Sequence, residues 1–244
     1  MIKLSKNNSN ELDIIGLLDF IEKIAGHDWM ENWVHGMRDN FGRLPQNVPP
    51  LAVSWLKAKD ELAAFQLTDN LKLSESTVRL LQLGDDLKLL RDYKDIGHQI
   101  TLLKGNVEQY SHVCYQMYIA AHYHRKKVNF ILPSDISQPD LTLLDKHQQT
   151  AVATVAPVLE NGSMLVKNLP LIINNIVTKL ANKVKVIYID FPLPPCFTVE
   201  QFAEEVVKQN RLTPLDANIS VIITISYVKS QPVPSLNHSI VPLR

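Results

Sequence analysis

Apolar residues along the first half of the chain recur every three or four positions, which predicts helices. In residues 11–26, Leu12, Ile15, Leu18 and Ile21 or Glu22 form one stripe, and Gly26 closes it. Residues 28–41 repeat the period, with Asp28 as the expected cap and Trp29 and Trp33 on one face. After the break "GRLPQNVPP", residues 51–66 resume it through Leu51, Trp55, Leu62 and Phe65. Residues 74–93 open on a Ser-x-x-Thr start and align Val78, Leu81, Asp85 and Leu89. The period persists to about residue 124 through Val107, Cys114, Met117 and Ala121.

At residue 126 the texture changes. "KKVNFIL", "PDLTLL" and "TAVATVAPV" are short β-type runs separated by turn residues. "PLIINNIVTKLANK" has a helical face, with Pro170 tolerated in its first turn. "VKVIYID" then predicts a buried strand, "TVEQFAEEVVKQN" a helix, and "ISVIITISYV" a last long strand. The closing residues hold three prolines and read as a tail or an edge segment. The expectation is an α/β (α+β) fold, a helical N-terminal region followed by a mixed sheet flanked by helices. The corresponding divisions are residues 1–95, 96–232 and a C-terminal tail at 233–244.

Composition narrows the chemistry mainly by exclusion. Lys plus Arg equals Asp plus Glu at 25 each, so no global field advertises a polyanionic partner. Of eight glycines only Gly162 follows residue 105, and neither GxGxxG nor GxxxxGK occurs, which excludes Rossmann and P-loop nucleotide binding. CxxC, HExxH and GxSxG are absent as well. The two cysteines, Cys114 and Cys196, are expected to be reduced thiols. No signal peptide or membrane span is evident, so the expected location is cytoplasmic, with no membrane partner. His122 and His124, two apart on a helix, point to different sides and do not converge on one ion. The longest basic run, Arg125-Lys126-Lys127, is short for a nucleic-acid footprint.

The element order αβββαβ, with Pro139-Asp140 leading its second strand and a hairpin into the third, resembles the PD-(D/E)XK nuclease superfamily. The resemblance spans roughly residues 100 to 230 and implies a restriction-endonuclease-like core. It also implies that Asp140 is a metal ligand, for Mg²⁺ or Mn²⁺, if the site is active. In that family an acid and a lysine two residues apart on the third strand complete the site. Here that strand reads Ala153-Thr154-Val155, and residues 150 to 158 contain no ionisable side chain. The favoured expectation is therefore a catalytically inactive nuclease-like protein, with no cofactor, acting by binding nucleic acid or a protein partner. An alternative is an active nuclease with migrated residues: Asp140 and Glu108 on the metal and Lys179 orienting water, with Asp135 and Lys167 as reserves. A second makes the helical region an assembly module, Trp29, Trp33 and Trp55 anchoring a homodimer. The plainest reading of Pro139-Asp140 is a loop-closing proline and an aspartate whose carboxylate stands in solvent.

Overall fold

The computed structural model describes residues 13–39, 47–68, 73–135, 138–145, 148–156, 171–172, 175, 178, 184–212, 219–229 and 235–243. Six helices come first: α1 (Ile14–Ala25), α2 (His27–Asp39), α3 (Pro50–Thr68), α4 (Glu75–Leu90), α5 (Ile96–Leu103) and α6 (Val107–Arg125). Strands β1 (Asn129–Ile131), β2 (Leu141–Leu144), β3 (Gln149–Val155) and β4 (Val184–Pro192) follow. Helix α7 (Val199–Leu212) then precedes β5 (Ser220–Lys229) and β6 (Ser235–Leu243). The α/β architecture is the expected one.

Local chemistry sets the helix starts. Asp13 accepts the Gly16 N–H at 2.9 Å, and Ser74 accepts that of Thr77. Asn106 and Gln109 form a reciprocal capping box at α6, and Pro50 takes the first position of α3, where no N–H is needed. Asp28 is not a cap. Gly26, at φ +93°, turns the chain so sharply that α2 starts at His27, and the Gly26 carbonyl receives the Met30 N–H at 3.1 Å.

The sheet runs β1-β2-β3-β4-β5-β6. β1, β2 and β3 form an antiparallel meander, β4 and β5 lie parallel to β3, and β6 returns antiparallel. The closing segment is thus the edge strand β6, with Pro242 near its end, where a missing ladder donor costs least.

Two clusters fill the interior. One runs from Ile14 in α1 through the helices to Phe130, Leu141 and Val152 of the first three strands. In the other, Ile187, Ile189 and Phe191 of β4 and Val221, Ile223 and Ile225 of β5 meet Phe202 and Val206 of α7. Trp55 is core, its indole N–H donating to the Leu18 carbonyl at 3.2 Å, while Trp29 and Trp33 flank the core half-buried. The boundary expected at 95/96 falls in the short turn between α4 and α5. Among the described residues, no helix is long and apolar enough to cross a membrane.

Because successive strand residues face opposite ways, β4 and β5 have a second face. It carries Tyr188, Asp190, Thr224 and Ser226 toward the α4 and α6 side. Phe191, fully buried and set edge-on to Phe202 at 6.1 Å, anchors the apolar face. Phe191→Ala should lower the unfolding free energy by about 3–5 kcal/mol, measured by urea denaturation.

Candidate functional site

Asp140 stands just ahead of β2, and the pairing of Leu141 with Val152 sets it beside Thr154 of β3. Its carboxylate is not in solvent: the side chain is 17% exposed and surrounded by donors. Oδ2 accepts the Thr154 N–H at 2.6 Å and the Thr154 hydroxyl at 3.2 Å. Oδ1 lies 2.8 Å from Nε2 of His112. Its backbone carbonyl accepts from the Gln116 amide at 2.7 Å. A carboxylate offers roughly four acceptor positions, and three are used here. The arrangement ties β2 to β3 and to α6, and it leaves little of Asp140 for a metal ion.

The α6 residues that meet Asp140 are His112 and Gln116. Glu108, one turn before His112, is exposed in the first turn of that helix. Asp135 is exposed in the loop after β1. Lys179 and Lys167 lie outside the described residues, so their relation to Asp140 is not part of the geometry here. His124 bonds the Tyr93 hydroxyl at 3.0 Å, and burial lowers the pKa of His122.

A second constellation lies at the carboxyl ends of the parallel strands, where open α/β sheets commonly hold ligands. A cleft of about 230 Å³ opens between α4, α6 and the strand ends. Its floor is Asp190 of β4, buried and accepting the Thr224 and Ser226 hydroxyls, each at 2.9 Å. Arg79 of α4 donates to Ser226 at 3.0 Å and to Glu75 at 2.9 Å, with its second terminal nitrogen 3.9 Å from Asp190. The Tyr115 hydroxyl extends the chain of bonds to Thr224 at 2.8 Å. Burial raises the pKa of Asp190, although Arg79 and the two hydroxyls pull the other way.

Asp86 lines the cleft from α4, 1% exposed, bonded to Arg125 at 2.9 Å and to Gln82 at 3.1 Å. On the opposite wall His238 of β6 stacks on Tyr118 at 3.8 Å between ring centres. Burial, with Arg79 adding to it, brings His238 down to about 4, so the ring is neutral at physiological pH. Burial also pushes the Cys114 thiol up to about 12, which leaves it protonated and a poor nucleophile. Cys114 and Cys196 are both free. The cleft thus combines an aromatic wall, an acidic floor and one occupied guanidinium.

Sequence reasoning missed His112, Arg79, Asp190 and His238. One of them, Asp190, had a readable signal. Alternation in "VIYIDF" and "VIITIS" sets Tyr188, Asp190, Thr224 and Ser226 on the face opposite the isoleucines. No protein-family model matches the chain, and neither does any curated protein or solved structure.

Asp86 makes the stability pH-dependent in a definite direction. Burial raises its carboxyl from 3.8 to about 6, so the folded chain holds a proton that the unfolded chain releases. The stability from this group is full below about pH 4 and is lost as pH rises through about 6. A shift of that size corresponds to about 3 kcal/mol. Asp86→Asn should reduce the fall in unfolding free energy between about pH 4 and 7, measured by urea titrations across that range. Asp190, shifted in the same direction, should retain part of the slope.

Proposed function

We propose that this chain has a nuclease-like architecture without a phosphodiesterase centre, and that it acts by binding a protein partner. The observation that carries the reading is the state of Asp140, whose carboxylate already serves Thr154 and His112 as a structural acceptor. The superfamily's third-strand acid falls on Ala153, which is buried in the second apolar cluster, and the next residue, Thr154, donates to Asp140, so that pair holds two strands together.

The antiparallel meander β1-β2-β3 followed by parallel β4 supports the architectural half of the reading. The choice of a protein over a nucleic acid rests on charge. Glu75, Asp86 and Asp190 line the cleft, and Arg79 is engaged by Glu75 and Ser226. A polyanion gains counterion release only where cations stand free to meet phosphates. The net charge of zero offers no long-range attraction to make up for that.

Calorimetric titration of Mg²⁺ and Mn²⁺ into the wild type and Asp140→Ala, with a DNA-cleavage assay beside it, tests the reading. The expected result is no heat that depends on Asp140 and no cleavage. Asp140→Ala should instead destabilise the fold by about 2 kcal/mol, since it leaves the buried Thr154 N–H without its acceptor. Mn²⁺ binding that the substitution abolishes, or metal-dependent cleavage by the wild type, would overturn it.

A further inference from the structure

We propose that Glu22, His27 and Glu31 bind a divalent transition-metal ion of the Zn²⁺ class at the corner where α1 turns into α2. The site involves none of the cleft residues and does not depend on the binding reading. The sharp turn at Gly26 brings the last turn of α1 against the first turn of α2. His27 Nδ1 thereby comes to lie 2.5 Å from Glu22 Oε1. Glu31 is one helical turn beyond His27, on the same face. One donor atom from each of the three residues lies within 4.8 Å of the other two.

Zn²⁺ holds nitrogen and oxygen donors at about 2.0–2.2 Å, which sets them about 3.3 Å apart in a tetrahedron. Reaching that geometry takes a small opening of the Glu22–His27 contact and a small closing of Glu31. No backbone movement is required. His35 lies one turn further, with Nε2 at 3.7 Å from Glu31 Oε2 but outside the cluster, which leaves the fourth position to water. The resulting set, His-x3-Glu on one helix with a glutamate from its neighbour, mixes imidazole and carboxylate. Hard ions such as Mg²⁺ and Ca²⁺ favour all-oxygen shells, whereas this mixture suits zinc.

The corner already draws positive charge. Lys59 approaches Glu22 at 4.0 Å and Asp19 at 3.6 Å, from a flexible stem that can swing aside. His27 and His35 are largely exposed, so an ion has direct access.

The test is calorimetric titration of Zn²⁺ into tag-free full-length protein, with thermal unfolding followed in the presence of Zn²⁺ and of chelator. The expected result is one strong site and a higher unfolding temperature with Zn²⁺, since the ion bridges two helices only in the folded state. His27→Ala and Glu31→Gln should each weaken binding by roughly tenfold or more, while His98→Ala on α5 leaves it unchanged. Far-UV circular dichroism checks that the variants keep the fold, and the use of two exposed positions guards against loss of either one. No Zn²⁺ binding by the wild type, or binding that both substitutions leave intact, would overturn the proposal.

Discussion

The face that β4 and β5 turn toward α4 and α6 is polar, and covering it obliges each group there to find a partner. Asp190 is the centre of that constraint. A carboxylate taken out of water costs several kcal/mol unless donors replace the solvent. Thr224, Ser226 and Arg79 supply that replacement from β5 and from α4. Arg79 in turn needs Glu75, and Thr224 engages Tyr115 of α6. One buried acid thus fixes the relative positions of two helices and two strands. The opposite face is apolar, and α7 covers it with no such demand.

Asp140 plays a parallel role at the other end of the sheet's logic. It joins the antiparallel meander to α6 through His112 and Gln116, where β2 is too short to be held by its ladder alone. Both aspartates act as acceptors for structural donors. They differ in their surroundings. Asp140 sits at a strand start beside a fully occupied pair of neighbours, whereas Asp190 floors an open cleft beside an aromatic stack.

The helices and most of the strands were legible because their periods and caps are local properties. The first four long helices and the strand order of the second half follow from apolar spacing and from residues such as Ser74 and Pro50. The phase of α4 was harder to read. Its stripe was drawn through Asp85 and Leu89, yet Asp85 is exposed and the buried positions there are Leu83, Asp86, Leu87 and Leu90. A helix packed against α1, α3, α6 and β6 hides nearly all round, which erases the single stripe that periodicity detects. His112 left no local signal at all. Its meaning comes from Asp140, 28 residues later, and such pairings exist only once the chain has folded. β6 was ambiguous for a related reason, since Pro232, Pro234 and Pro242 mark an edge and a tail equally well.

The order of elements along the chain has a temporal meaning. The large apolar cluster is complete once residues 14 to 152 have been made, whereas the cleft needs β4, β5 and, through His238, β6. Chains are delivered from the ribosome N-terminus first, and early segments consolidate as they emerge. Synthesis therefore supplies a packed helical body well before it supplies the cleft. The stack of His238 on Tyr118 is then a late event, in which the last strand closes over a surface that has been waiting for it.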